Sequence, residues 1–312
     1  MSAAGRDKSS AKGTWRHDAW GVWMLVWSWG PALAAIALAA RHPSPWSYLA
    51  ALVVVGARQH ALFVVAHESW HKTVFRSPRW NRFAGAWLAA YPVVIPWVSA
   101  RETHLEHHRK VGTEADPDRY AWSWRRSERG AFAWHLAAVA TGVPFVVRAV
   151  RQALGLPLPP PRDGMPVPTE TSGGRGEQLR TVATHLVLLG AFAGTVGWVW
   201  YFALWLFPAI SMRLFFEALR QFLEHRSGRM HLYRSGPVER FFLGPFNFHL
   251  HPYHHALASE PWFSVRNAAA KAAEKYEIVE HASYVGELVA YFRGAGEVAE
   301  VERPPADAHG GG

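Results

Sequence analysis

The sequence predicts an all-α membrane protein, with four transmembrane helices in two hairpins and a cytoplasmic helical cap. Three observations carry this prediction. Long runs without a formal charge recur along a chain of 312 residues, half of which are hydrophobic. The 17 Trp and 17 Phe make an aromatic excess that suits a bilayer, where aromatic side chains gather at headgroup level. Nine of the 18 histidines fall into four tight groups, and all but one group lies at or near the end of an apolar stretch.

The elements follow in order. Residues 1–16 are polar and basic and read as a cytoplasmic tail with no secretory signal. Ala19 to Ala40 carries no charge over 22 residues, about 33 Å as helix and enough to span. After the turn Arg41-His-Pro-Ser-Pro45, a second span over 46–66 returns, interrupted by Arg58, Gln59 and His60. Phe83 to Ser99, with Pro92 and Pro96, and Ala131 to Val147, with Pro144, are short for a span and are expected to lie in the interface. The Pro/Gly-rich stretch 156–176 reads as a mobile loop. Thr181 to Met212 lacks Lys, Arg, Asp and Glu and is expected to fold as a hairpin, with spans over 181–197 and 198–220 and the second helix running on to His225. Gly190, Gly194 and Gly197 offer turn positions. A membrane domain over 17–275 then gives way to a cytoplasmic segment, 276–312, with a short amphipathic helix over Tyr284 to Phe292 and a disordered end.

A parity condition supports four spans. If all the histidine groups share one site, the chain must cross an even number of times between successive groups. Four crossings place the groups, both tails and most Lys and Arg on one side, which the positive-inside rule names cytoplasmic. The net charge of +9 is spread among the apolar segments, which fits anionic lipid or an acidic partner rather than nucleic acid. With no cysteine, disulfides, iron–sulfur clusters and thiolate ligands are excluded.

The histidine spacing carries chemistry. His67 and His71 are four apart and share one helix face; His104, His107 and His108, and again His251, His254 and His255, repeat an i, i+3, i+4 pattern. His225 stands alone at the end of a helix. Neutral imidazoles ligate iron, zinc or copper, and nine exceed the needs of one ion, so a two-metal site at a membrane surface is expected. His67-Glu68-Ser-Trp-His71 also matches the zinc-peptidase pattern H-E-x-x-H, which would make Glu68 a general base. That alternative leaves six histidines without a role. A membrane binding module without activity is the other alternative.

Metal-bound imidazoles usually donate their second N–H to a carboxylate or carbonyl. Glu68, Glu106, Asp116, Asp118 and Glu224 are the candidates, with Glu106 and Asp118 equally readable as solvated acids. His249 is expected behind the ligands; His17, His42, His231, His281 and His309 are expected at the surface, and His135 and His185 in packing. Arg58 and His60 lie inside an apolar helix, where a charge faces a polar cavity, a partner such as Glu217 or a substrate head group, unless the Arg snorkels. Arg101, Arg109, Lys110, Arg125 and Arg126 form a candidate basic surface for an acidic electron donor.

In these motifs the chain resembles the integral-membrane fatty acid desaturase and hydroxylase superfamily. The likeness rests on His67-x-x-x-His71, His104-x-x-His107-His108 and His251-x-x-His254-His255, in that order, with a membrane hairpin between the last two. Asp116-Pro-Asp118, Glu224-His225 and Asn247 add local likeness, and the whole covers residues 19–265. The resemblance implies two iron ions held by the nine histidines, O2 as co-substrate, and removal of hydrogen from an unactivated C–H bond of a lipid or acyl substrate. It implies electrons from a separate protein of the ferredoxin, flavodoxin or cytochrome b5 type. Some relatives use an Asn-bound water four residues before the lone histidine; Gln221 stands there in this chain. Desaturation is the expected outcome, with hydroxylation, ketolation or oxidation of a specialised metabolite as the alternative on the same scaffold.

Overall fold

The computed structural model describes residues 8–158 and 174–295. Most of the expected mobile loop 156–176, the first seven residues, His309 and the expected disordered end lie outside the described residues.

The first hairpin forms as the charge-free runs require. Helix α1 (Lys8–Arg41) begins inside the expected tail, and α2 (Pro45–Trp70) packs along it. The turn between them ends in a capping box: Ser44 accepts from the Ser47 N–H, Ser47 Oγ accepts from the Ser44 N–H, and Pro45 opens the helix. From Val55 to Trp70 every residue of α2 is buried, which makes this helix the axis of the molecule. Gly56 lets Met212 press on the α2 backbone, since a Cβ there would lie 2.4 Å from Met212 Cβ.

Next come α3 (Pro78–Phe83), a π turn (Ala84–Ala90) and a 3-10 turn (Tyr91–Val93), followed by a 100° bend into α4 (Trp97–Lys110). Pro96 stands at the bend, where its missing N–H and fixed φ end one helix and open another. Helices α5 (Arg119–Trp122), α6 (Arg129–Ala140) and α7 (Val143–Ala153) follow, the last two set at 70° across Gly142. The second hairpin is α8 (Gly174–Ala193), a turn at Gly197 with φ +106°, and the run α9 (Trp198–Tyr201), α10 (Phe207–Ile210) and α11 (Met212–His225).

Among the described residues three helices are long and apolar enough to cross a membrane, Arg16–Arg41, Pro45–Trp70 and Trp198–Gly228, or up to five if each bent pair counts as one span. The third expected span, over 181–197, is not among them: its helix starts seven residues earlier and carries Arg175, Glu177 and Arg180 in its first turns. Trp46 and Trp198 are exposed, as lipid-facing rings would be.

The rest is a cap that is mostly, but not wholly, helical. Strand β1 (Met230–Tyr233) pairs in parallel with β2 (Ile278–His281), around α12 (Pro237–Phe242), α13 (His251–Ala256) and α14 (Ala269–Lys275). This corrects the all-α expectation. All four residues of β1 are buried, so the strand lacks the alternation that would have revealed it. The expected C-terminal helix is present as α15 (Tyr284–Arg293).

One buried acid ties the second hairpin to the start of α4. Pro96 gives α4 no side-chain cap, and Glu177 of α8 takes its place. Its carboxylate accepts from the Val98 N–H (2.9 Å), the Ser99 N–H and Oγ (both 3.2 Å) and Tyr91 Oη (3.1 Å). A carboxylate at a helix N-terminus satisfies free N–H groups and complements the helix dipole. Glu177→Ala should cost roughly 2 kcal/mol, by loss of a cap and of buried hydrogen bonds. Thermal unfolding in mild detergent will show a lowered Tm for this variant and none for Glu274→Ala on exposed α14; equal Tm values would contradict the assignment.

Candidate metal centre

All nine grouped histidines meet where α2, α4, α11 and α13 converge. His67 lies in the last turn of α2 and His71 at its C-cap; α4 brings His104, His107 and His108; His225 is the last residue of α11; α13 brings His251, His254 and His255. They divide into two sets: His67, His71, His104, His108 and His254, and His107, His225, His251 and His255. Within each set, one ring nitrogen per residue lies within 4.8 Å of all the others. Helices α4 and α13 contribute to both sets, which abut: the His108 and His255 rings stack at 4.2 Å.

The donor set fits metal ions. Nε2 of His71 faces Nε2 of His104 at 2.7 Å, and Nε2 of His251 faces those of His225 and His255 at 3.0 and 2.9 Å. Two nitrogens bound to one ion at about 2.1 Å and at right angles stand about 3 Å apart. Other buried ring nitrogens have no hydrogen-bond partner at all, among them Nε2 of His67, His108 and His254. A buried nitrogen left this way is costly without a ligand. Burial, reinforced by neighbouring imidazoles, holds His251, His254 and His255 well below the usual histidine range, so each is neutral and keeps a lone pair.

Carboxylates stand behind the rings. Asp116 is fully buried and accepts from His107 Nδ1 at 2.8 Å, from Trp122 Nε1 at 3.1 Å and from the Asp118 N–H at 2.9 Å. With its proton on Nδ1, His107 turns an unprotonated Nε2 toward its set. Asp118, half-buried, has Oδ2 3.9 Å from the same Nδ1, and burial raises its pKa to about 6. Glu68 is 3.4 Å from His67 Nδ1 and 3.8 Å from His254 Nδ1, fixed by a 2.7 Å bond from Thr73 Oγ1. Glu224 is fully buried, accepts from Tyr284 Oη at 2.7 Å, pairs with Arg220, and lies 3.9 Å from His251 Nδ1.

Other expected residues lie elsewhere. Glu106 points outward, to Arg109 and Lys110 at 2.5 and 2.7 Å, as a solvated acid does. Asn247, at φ +58°, donates to the Trp262 carbonyl, and Gln221 makes no hydrogen bond to the histidines among the described residues. His249 is buried against Gly244, outside both sets, and burial lowers it to about 4. Glu217 pairs with Arg213 at 2.5 Å, not with Arg58, and Arg58 is wholly buried, so it does not snorkel. His231 and His281 are not free surface residues: His231 is buried, and its Nδ1 lies 2.8 Å from His281 Nε2. His185 packs as expected, bonded to Tyr201 Oη and the Tyr91 carbonyl.

Sequence reasoning missed Thr73, Trp122, Arg220 and Tyr284. The Arg220–Glu224 pair had a signal in its i, i+4 spacing, but Tyr284 lies 60 residues from Glu224 and had none.

With this geometry in view, comparison with known proteins gives a consistent result. The fatty acid desaturase family model matches residues 43–284, and the chain belongs to that family. Similar proteins include the dihydrorhizobitoxine desaturase of Bradyrhizobium elkanii, 36% identical over 88 residues, which are 28% of this chain and 25% of that one. The sn-1 acyl-lipid omega-3 desaturase (ferredoxin) of Synechocystis is 24% identical over 257 residues, 74% of this chain and 69% of that one. A sphingolipid delta(4)-desaturase DES1-like protein of Oryza sativa is 38% identical over 56 residues, 18% and 17% of the two chains. The chain is thus a membrane protein of the desaturase family whose histidine clusters are able to hold metal.

The carboxylates behind the rings should tune metal retention. Asp116→Ala is expected to weaken cobalt(II) binding about 10–100-fold, whereas Glu106→Ala leaves it unchanged. Titration followed by the visible absorption of bound cobalt measures both; equal affinities in the two variants would contradict the role given to Asp116.

Proposed function

We propose that the protein is a membrane di-iron oxidoreductase that uses O2 and electrons from a separate donor to desaturate a fatty-acyl or lipid-like chain. The observation that carries this reading is the division of nine histidines, seven of them buried and His71 and His108 partly so, into two abutting sets. Such a donor set, without thiolate and with carboxylates only behind it, suits iron that must change oxidation state and keep positions open. Bound there, iron would supply activation of O2 at the expense of external electrons.

The chain's own residues hold and shield that site. His67, His71, His104, His108 and His254 would hold one ion, and His107, His225, His251 and His255 the other. Asp116 orients His107 by fixing the proton on its far ring nitrogen, and Glu68 and Glu224 place a carboxylate close behind His67 and His251. Phe63, Trp70 and Phe248 pack against the His67 ring at 6.3, 6.0 and 4.8 Å, an apolar border that suits hydrocarbon and excludes water. Loss of a second hydrogen gives an alkene and delivery of oxygen gives an alcohol, and the position of the second C–H bond decides between them. The desaturase relatives favour the alkene; a hydroxylase, ketolase or specialised-metabolite oxidase would use the same residues.

Four spans, with the hairpin turn at Gly197 and the cap and both termini on the cytoplasmic side, agree with the parity condition and the distribution of Lys and Arg. Within this reading residues 17–275 are the membrane domain. The Synechocystis relative is described as ferredoxin-dependent, which supports a separate electron donor. The zinc-peptidase alternative is disfavoured because the Glu68 carboxylate is tied to Thr73 and lies beside two imidazoles. A general base must be open to a water and a substrate carbonyl.

Elemental analysis of protein purified in mild detergent should find about two irons per chain, as nine imidazoles in two sets require. His104→Ala and His254→Ala should abolish formation of new double bonds or hydroxyls in lipid profiles while the protein still inserts. About one zinc and no iron, with Glu68 essential, would overturn the reading in favour of a peptidase.

A further inference from the structure

Arg58 lies near the middle of α2, wholly buried, and its Nε, Nη1 and Nη2 meet no hydrogen-bond acceptor among the described residues. The nearby ion pairs are closed without it: Glu217 is held by Arg213, and Glu224 by Arg220 and Tyr284. A buried guanidinium without a counter-charge weakens the folded state, and in a membrane protein it marks a functional site. A leucine or methionine would fill the same space without that cost.

The surroundings of Arg58 suit one kind of ligand. Its Cζ lies 3.7 Å from the centre of the Phe241 ring, so one face of the guanidinium plane is covered. The in-plane N–H edge stays available, and this is the edge that grips a carboxylate with two parallel hydrogen bonds. The segment that covers Arg58 continues along α2 to the histidines. The Leu243 carbonyl lies 3.3 Å from His60 Nε2, and Phe248 packs on His67 at 4.8 Å. The cover is thin: α12, which carries Phe241, has no buried residue, and Phe241 itself is only half-buried.

We propose that Arg58 binds the carboxylate of a free-acid substrate, an amphiphile whose chain runs beneath residues 241–248 toward His67. A monoanion neutralises the lone guanidinium, whereas a phosphate dianion would leave an excess negative charge in the same buried place. The substrate class is therefore a free carboxylic acid, not an ester or thioester. The destination of the chain rests on the di-iron reading; the carboxylate site itself does not.

The test is binding of dodecanoate and of methyl dodecanoate to the full chain in mild detergent, followed by calorimetry and by the shift in Tm. Wild type should bind the acid at least tenfold more tightly than the ester, and the acid should raise Tm. Arg58→Gln should remove the preference while raising the ligand-free Tm, because it removes an unpaired buried charge. Arg58→Lys, which keeps the charge without the fork, should retain a reduced preference. Equal binding of acid and ester by wild type, or a preference that survives Arg58→Gln, overturns the proposal. A fall in the ligand-free Tm of Arg58→Gln also overturns it, by showing that the arginine holds the fold. Binding is read without turnover, so failure of the di-iron reading would leave this result standing.

Discussion

Nine imidazoles, seven of them buried, gathered into two abutting sets are the constraint on which the rest of the structure depends. Imidazole nitrogens that face each other at about 3 Å cannot both carry a proton, and a low-dielectric interior does not tolerate their charged forms. Such an arrangement favours unprotonated nitrogens that face a common point and are able to hold a cation there. The features around the centre serve that arrangement. Asp116 settles the proton of His107, Glu68 and Glu224 stand close behind His67 and His251, and Thr73, Trp122 and Tyr284 fix the carboxylates in turn.

That requirement also explains the scaffold. A two-ion site needs ligands on rigid elements that approach from several directions. The long buried helix α2 supplies one wall. The sharp bend at Pro96 turns α4 across its end, and Glu177 of the second hairpin holds the start of α4 in place. The broken run α9–α11 delivers His225 to the same level, and the short helix α13 closes the site from the cap. The residues α2 and α11 expose to one another are not all apolar: the ladder Arg213, Glu217, Arg220 and Glu224 runs up one face of α11, with its charges paired in sequence. Arg58 stands out against that ladder because its guanidinium has no hydrogen-bond or ion-pair partner among the described residues.

The cap ties the far end of the chain to the centre. Strand β2 and helix α15 bring Tyr284 to Glu224 and Glu287 to Arg226, the residue next to His225. Tyr233 and Tyr284 stack at 4.0 Å with Tyr233 Oη on the Leu223 carbonyl, so the segment from β2 through α15 is part of the wall behind α11. A stretch that composition alone would set aside as a cytoplasmic appendage is instead a support for the ligand helix.

Much of this was legible in the sequence, for a physical reason: the features concerned are local. Hydrocarbon thickness sets the length of an apolar run, so the first hairpin could be read directly, and ligand spacing on a helix follows its period, so all nine histidines could be named. The length of α8 and the buried strand β1 were not legible, since charged residues obscured the one and a short run without alternation the other. Tertiary structure alone decided which histidine joins which set, because α4 and α13 each divide their rings between the two sets and the division depends on how the helices cross. It alone decided that Glu106 is solvated while Asp116 is buried, that Glu217 belongs to Arg213, and that Tyr284 reaches Glu224. Periodicity tells which way a side chain leaves its own helix; what it meets there depends on chain segments far away in sequence.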